Sequence, residues 1–184
     1  MARTVFYTAT TLDGFLATTD HSLDWLLSRE GGGDGPLGYA EFIAGVGALC
    51  MGAHTYEWVH RASHDDAGAV TGPWAYEQPC WVFTHHELPP WPGADVRPTA
   101  APVPKVHAEM VAAAGGRDVW VVGGGDLAGQ FLDHGLLDEV VVSIAPVTLG
   151  SGMPLLPRRA ELRLTELVRS GEFAQASFEV VRPG

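Results

Sequence analysis

Three consecutive glycines mark the part of the sequence whose residue types and spacing point most directly to chemistry. In VWVVGGGDLAGQFL (residues 119–132), a buried-strand pattern precedes Gly123, Gly124 and Gly125, and apolar residues at helical spacing follow from Asp126. The pattern predicts a strand, a glycine turn and a helix with Asp126 as its N-cap. Such a turn exposes backbone N–H groups that suit a phosphate or pyrophosphate. The glycines are equally consistent with a tight turn that only lets the helix pack on the sheet.

A strand–turn–helix motif needs a sheet to position it, and the remaining patterns supply one. The predicted strands cover residues 4–11, 48–51, 80–84, about 95–97, 119–122, 139–145, 162–168 and 173–181. The predicted helices cover residues 22–27 with Ser22 as N-cap, an apolar stripe from 39 to 46, residues 55–61 and 105–114, and a segment from Asp126 that includes Leu136. Helices and strands alternate up to about residue 145, and strands dominate afterwards. We therefore expect an α/β three-layer sandwich over residues 1–184, a single domain with a mixed sheet, helices on both faces and an antiparallel C-terminal edge.

Composition narrows the functional classes. The chain has 184 residues, only 11 Lys and Arg, and a formal net charge of -11, which argues against nucleic acids and anionic membranes as partners. No apolar run of membrane-spanning length is present, and the N-terminus enters a strand pattern at once, so we expect a cytoplasmic protein. Cys50 and Cys80 lie in or beside apolar runs and are interpreted as buried, reduced thiols.

Two histidine groups have spacings that could hold a metal. They are His60-x-x-x-His64-Asp65-Asp66 and His85-His86. Both fall in predicted surface segments, and we interpret them as solvated loops, so no metal is expected.

The glycine motif also satisfies the GxGxxA fingerprint of dinucleotide-binding doubly wound folds. Two features disfavour that fold. The motif falls late in the chain, and Asp138 and Glu139 precede the next strand instead of ending it.

Four motifs together resemble the dihydrofolate reductase superfamily, especially its branch similar to the C-terminal reductase domain of bacterial riboflavin biosynthesis. They are TTLDGFLA near the N-terminus, MGAHTYE at 51–57, VVGGGDLAGQFL, and APVTLGSGMPLL at 145–156. The resemblance covers nearly the whole chain. It implies a mixed eight-stranded sheet that binds NADPH across the C-terminal ends of its strands, and a cis peptide between Gly123 and Gly124.

The resemblance also implies which residues contact the cofactor: Ala9, Leu16, Gly52, His54, Thr55, Thr84, His85, His86, Gly123, Gly124, Gly125, Asp126 and Leu127. Ala53 stands where the family usually has the Arg that holds the 2′-phosphate, so NADH remains an alternative to NADPH. His54, His85 and His86 could replace that Arg, and imidazole is only partly charged at pH 7, so we expect NADPH affinity to strengthen in acid. They are equally consistent with solvated turn histidines.

Substrate residues follow from the predicted helix that contains Trp25. In dihydrofolate reductases a carboxylate lies three residues before the corresponding Trp, but here Ser22 holds that position and Asp24 comes one residue before Trp25. Folate is therefore disfavoured. The resemblance implies Ser22, Asp24, Leu26 and Val122 as substrate contacts, with Asp24 as a candidate proton relay or an ordinary acid in a first helical turn.

These features predict an NADPH-dependent reductase that transfers hydride to a small heterocyclic or carbonyl substrate other than folate. Reductases of riboflavin synthesis need basic residues that hold a ribose phosphate. The candidates Arg29, Arg61, Arg158 and Arg159 lie in no recognisable motif. By analogy we expect a homodimer. The alternative is a catalytically inactive nucleotide-binding or regulatory module on the same fold.

Overall fold

A mixed eight-stranded sheet forms the centre of the molecule. The computed structural model describes residues 2–31, 35–63 and 72–182. The strands are β1 Thr4–Thr11, β2 Phe15–Ala17, β3 Val46–Gly52, β4 Cys80–Phe83, β5 Val96–Thr99, β6 Asp118–Gly123, β7 Glu139–Ala145, β8 Met153–Pro154, β9 Glu161–Ser170 and β10 Phe173–Val181. The helices are α1 Asp24–Leu27, α2 Tyr39–Gly45, α3 Ala53–Ala62, α4 Val103–Ala114 and α5 Gly125–Asp133.

The strand order explains why the sheet has one parallel part and one antiparallel edge. It runs β5-β4-β3-β6-β1-β7-β10-β9, while β2 and β8 form a separate two-stranded sheet. The six strands from β5 to β7 are mutually parallel, whereas β10 is antiparallel to both β7 and β9. Parallel strands need crossover connections, which α3, α4 and α5 help to provide. The carboxyl ends of the parallel strands therefore meet at one edge of the sheet.

Side-chain alternation along β1 divides the core between the two faces of the sheet. Phe6 packs with residues of α4 and α5, including Met110 and Phe131, in one buried cluster. Val5 and Tyr7 point to the opposite face and pack in a second cluster with Tyr56 of α3. Helices therefore cover both faces, and the three-layer fold class expected from the sequence is confirmed. Within the described ranges no helix combines the length and apolar composition of a membrane span.

Several boundaries differ from the sequence prediction. Helix α1 begins at Asp24 with Leu23 as N-cap, and the Ser22 hydroxyl only accepts a bond from the Asp24 amide at 3.1 Å. Helix α5 begins at Gly125 and ends at Asp133, so Asp126 is not its N-cap and Leu136 lies outside it. Helix α2 ends at Gly45, one residue before the end of the predicted stripe, because Val46 is already the first residue of β3.

The C-terminal hairpin carries an irregularity with a consequence for its outer surface. Leu162 and Leu164 of β9 pair with Val180 and Phe178, but the register shifts between Ser177 and Phe178. Because of this shift Leu167 pairs with Ala176. Ala176, Phe178 and Val180 lie on one face of β10, so their three leucine partners also share one face of the sheet. The three leucines are 39%, 53% and 63% exposed in chain order. This edge therefore presents an apolar stripe to its surroundings.

Candidate functional site

A cavity of about 770 Å³ opens at the carboxyl ends of the parallel strands. Its lining includes the ends of β3, β4, β5 and β6, together with the first residues of α3, α4 and α5. Ligands of open α/β sheets bind at this edge, and a volume in this range suits a cofactor or a drug-sized molecule. The fold thus brings glycine turns, helix N-termini and loops from distant parts of the sequence to one place.

Two glycine turns face each other across this cavity. Gly52 is the N-cap of α3 and Gly124 is the N-cap of α5. A methyl group placed on Gly123 would lie 3.5 Å from the Thr55 Oγ1 atom, so the two turns are adjacent. The peptide bond between Gly123 and Gly124 is cis, as predicted. A methyl group on Gly124 would meet no protein atom within 4 Å, so the backbone there is open to a ligand.

The third glycine has a packing role that the sequence left open. A methyl group on Gly125 would lie 2.2 Å from the carbonyl oxygen of Pro154 and 2.4 Å from that of Leu155. Only glycine lets the start of α5 approach β8 this closely. The triple-glycine turn therefore has both features considered for it: Gly124 leaves the backbone open to a ligand, and Gly125 is required for helix packing.

The N-termini of α3 and α5 lack side-chain caps, so their first-turn amides have no side-chain acceptor of that kind. The Asp126 carboxylate does not cap the first-turn amides, because it accepts from Gln130 Nε2, one turn further along α5, and from Arg158 Nη2, both at 3.0 Å. These two partners, Gln130 first, lower the pKa of Asp126. Unpartnered amides and the helix dipole favour an anionic ligand. The two turns form a cradle of the kind that a pyrophosphate occupies.

Three histidines line the cavity, but they are not the three expected. His54 and His85 are present, and His54 stacks on His21 with ring centroids 5.0 Å apart. His21 has a φ of 63°, which is uncommon for a residue other than glycine and is often found at functional sites. His86 is outside the lining, and its Nε2 contacts Glu57 Oε1 at 2.8 Å. The turn therefore places one histidine in the cavity and the next beside a surface carboxylate.

A second cavity of about 300 Å³ adjoins the first. Thr8, Ala9, Leu26, Tyr76 and Val122 line both of them. The remaining wall is largely aromatic, from Tyr7, Tyr39, Trp120 and Phe173. We call this space the aromatic cavity.

The structure does not bring Ser22 and Asp24 to either cavity. Helix α1 is a single turn that buries Trp25 and turns Leu26 to the cavities, which leaves Asp24 exposed to solvent. Asp13 is likewise engaged elsewhere, because its carboxylate accepts from Thr11 Oγ1 and from the amides of Leu149 and Gly150. The Thr11 hydroxyl contributes most to its lowered pKa. Asp13 therefore holds two loops together.

The other predicted contacts come together at the cavities. The lining includes Ala9, Leu16, Leu26, Gly52, His54, Thr55, Thr84, His85, Val122, Gly123, Gly124, Gly125, Asp126 and Leu127. Sequence reasoning missed the lining residues His21, Trp58, Tyr76, Thr99, Gln130 and Met153. His21, Tyr76 and Met153 lie on loops or on the short strand β8, which carry no local signal. Trp58, Thr99 and Gln130 lie on α3, β5 and α5, and whether they face the cavity depends on how these elements pack. In the part of the chain that the structure describes, no three His, Cys, Asp or Glu side chains gather as metal ligands, and His64, Asp65 and Asp66 lie outside that part.

Comparison with known proteins gives a family for this arrangement. The family model of the RibD C-terminal domain matches residues 74–175, which include the β4 turn and the whole triple-glycine motif. The chain belongs to the RibD C-terminal domain family. Membership confirms the resemblance that the sequence motifs indicated. It also indicates a reductase-like role for this RibD C-terminal domain.

Full-length relatives support the same family. The uncharacterized protein YwjB of Bacillus subtilis is 32% identical over 186 aligned positions, with 96% of this chain and 97% of YwjB covered. A structure of a candidate riboflavin biosynthesis protein from Shewanella sp. PV-4 is 26% identical, has a TM-score of 0.78, and is matched over 99% of this chain and 100% of that one. The RibD C-terminal fold therefore extends over the whole chain.

A third relative adds support for the fold alone. It is the diaminohydroxyphosphoribosylaminopyrimidine deaminase/5-amino-6-(5-phosphoribosylamino)uracil reductase of Thermotoga maritima, which is 17% identical with a TM-score of 0.63. The match covers 98% of this chain and 57% of that longer one.

Proposed function

We propose that this RibD C-terminal domain is an NADPH-dependent reductase that transfers hydride to a small heterocyclic or carbonyl substrate other than folate. The observation that carries the proposal is the junction of two cavities. One has uncapped helix N-termini for a pyrophosphate, and the adjoining one has aromatic walls for a planar ring. The nicotinamide, when bound, supplies the hydride, and the protein supplies orientation and exclusion of water.

Residues of the larger cavity match the parts of a dinucleotide. The first-turn amides of α3 and α5 are placed to bind the pyrophosphate. Thr55 stands beside Gly123, where its hydroxyl is available to the same phosphates. Within the described ranges, His21, His54 and His85 are the only lining side chains that can become cationic, so they are the candidates for the 2′-phosphate. NADH is the alternative cofactor, because it does not need that contact.

Residues shared by the two cavities are placed to orient the reacting rings. Thr8, Ala9 and Val122 lie on the neighbouring strands β1 and β6, where both cavities meet. Leu26 closes the same region from α1. These mostly apolar side chains restrict water, which protects a hydride donor from unproductive contact.

The alternative is a nucleotide-binding module without turnover. It is favoured by the lack of an acid where a proton donor would be expected. Among the residues that the structure describes, Asp126 is the only Asp or Glu that lines either cavity, and it is paired with Arg158. Proton delivery in a working enzyme would then fall to water or a hydroxyl group.

An oxidation assay separates these two functions. The purified protein is incubated with NADPH or NADH and a panel of pyrimidine, pterin and carbonyl compounds, while the absorbance of the reduced nicotinamide is followed. Gly124→Ala, which places a methyl group in the cofactor cavity, is the control for oxidation that does not use this cavity. Substrate-dependent oxidation above this control supports the reductase. Saturable cofactor binding without oxidation by any compound supports the binding module.

We also propose that the protein forms a homodimer through β9. This strand is the last in the sheet order, and its exposed stripe of Leu162, Leu164 and Leu167 extends the apolar face of the hairpin. Exposed apolar edges of this kind favour association with another chain. Light scattering after gel filtration should give twice the chain mass, and Leu167→Glu should halve it. Val111→Glu is the matched control, because Val111 is a similarly exposed apolar residue on α4.

A further inference from the structure

We propose that the aromatic cavity binds the planar, uncharged ring of a substrate that carries no phosphate group. This inference rests on the proposed reductase function, because it assigns the hydride acceptor to the smaller cavity. It concerns the chemical class of the substrate, which the family alone does not fix for this chain.

The shape of the cavity favours a flat ring. The Trp120 indole is its central wall, with the Tyr76 ring edge-on at 5.5 Å and the Tyr39 ring at 5.9 Å between centroids. Tyr7 contacts the same indole at 6.3 Å and an angle of 87°. Aromatic walls in edge-to-face arrangements bind planar rings through their faces and edges. A volume of about 300 Å³ accommodates a one- or two-ring heterocycle.

The polar groups of the cavity suit a neutral ligand. The Tyr7 hydroxyl donates to Leu37 O at 3.0 Å, and Trp120 Nε1 donates to Tyr7 O at 2.9 Å, so both are occupied. The hydroxyls of Tyr39 and Tyr76 have no hydrogen-bond partner among the described residues. Burial raises the pKa of both phenols, so they remain neutral. Two neutral hydroxyls can donate to or accept from the carbonyl and N–H groups of a heterocycle.

Charge placement disfavours a phosphate. All 11 Lys and Arg residues fall in the described ranges, and none of them lines either cavity. Arg29, on the loop after α1, donates to Trp25 O and to Glu172. Arg158 is held by Asp126 and by another carboxylate of α5.

Backbone groups do not replace these missing cations in the aromatic cavity. Its backbone walls come mainly from β1, β6 and β7, whose amides are used in the sheet. Among the described residues, the only helix start in its lining is Tyr39 of α2, a helix of about two turns with a correspondingly small dipole. A phosphate placed there would lose hydration without gaining a charged partner. The Thermotoga relative is named for a phosphoribosylamino substrate. We infer that this chain differs from it in substrate.

A pair of ligands that differ by one phosphate tests the inference. The probes are 5-amino-6-(5-phosphoribosylamino)uracil and the same compound after enzymatic removal of its phosphate. Each is titrated calorimetrically into the protein, with and without saturating NADPH. We expect the dephosphorylated compound to bind at least ten times more tightly than the phosphorylated one. Equal or tighter binding of the phosphorylated compound, or binding of neither, would overturn the inference.

A variant pair locates the effect in the aromatic cavity. Tyr39 is 37% exposed at its rim, so Tyr39→Lys should place a cation there without burying it. This variant should gain at least tenfold in affinity for the phosphorylated compound, whereas Tyr39→Phe should not. If Tyr39→Lys does not gain affinity for the phosphorylated compound, the substrate does not bind in the aromatic cavity. NADPH alone is titrated into the wild-type protein in a separate experiment. Absence of NADPH binding there would instead contradict the proposed function.

Discussion

Substitution of Gly125 and Gly124 by alanine should separate the packing role of the glycine turn from its binding role. In Gly125→Ala the new methyl group would lie 2.2 Å from Pro154 O, whereas ordinary contact begins at 3.4 Å. The obstructing atoms are backbone, so α5 or β8 must move by about 1.2 Å, the difference between these two distances. Overpacking of this kind costs about 3 kcal/mol. For a chain of this size that corresponds to a fall in Tm of about 6–12 °C.

Gly124→Ala is the matched variant one residue earlier. Its methyl group would meet nothing within 4 Å, and the backbone φ of −87° is available to alanine. We therefore expect the free energy of unfolding to stay within about 0.5 kcal/mol of the wild type. The methyl group would occupy the space beside the α5 N-terminus, so NADPH affinity should fall at least tenfold. Urea unfolding and calorimetric titration measure the two effects. Equal stability of both variants, or wild-type NADPH affinity of Gly124→Ala, would refute this reasoning.

Three further predictions concern titratable groups. His54→Gln should lower the ratio of NADPH to NADH affinity at pH 6, because it removes a candidate partner of the 2′-phosphate; an unchanged ratio would exclude that role for His54. Burial raises the pKa of the Cys50 and Cys80 thiols, so a thiol reagent at pH 8 should modify neither in the native protein and both in urea. Burial lowers the pKa of His107 in the folded protein. Below about pH 6.5 the unfolded chain therefore binds a proton at this imidazole that the folded protein does not bind. The free energy of unfolding should therefore fall as the pH is lowered from 7.5 to 5.5, and it should fall less in His107→Gln than in the wild type. An equal fall in the two proteins would mean that other groups cause it.

The sequence predicted the sheet well because most of its strands are buried on both faces. Strand β7 matches its predicted bounds, Glu139–Ala145, because an apolar run interrupted only by Ser143 lies between two acidic residues and Pro146. Strand β8 was missed because two residues, one of them proline, show no alternation. The N-cap assignment of Asp126 failed because α5 already begins at Gly125, and the Asp126 carboxylate is held by Gln130 and by Arg158 from a distant loop.

The candidate site was predictable only where local chemistry required it. Glycine turns at helix starts have a sequence signature, and Gly52 and Gly124 indeed face one cavity. The aromatic cavity has no such signature, because residues as distant as Tyr7 and Phe173 meet there only through the strand order. Asp24 was chosen from its spacing to Trp25, but the direction of a one-turn helix depends on which side chain is buried.

Direct titration of the protein with NADPH and with NADH, followed by Trp fluorescence, tests the central claim that the larger cavity binds a nicotinamide dinucleotide. Trp58 lines that cavity, so bound nicotinamide should quench its emission. The account predicts saturable quenching by at least one of the two cofactors, with weaker binding to Gly124→Ala. Absence of saturable binding by both cofactors at millimolar concentration would contradict it, and the glycine turns would then serve packing or another ligand.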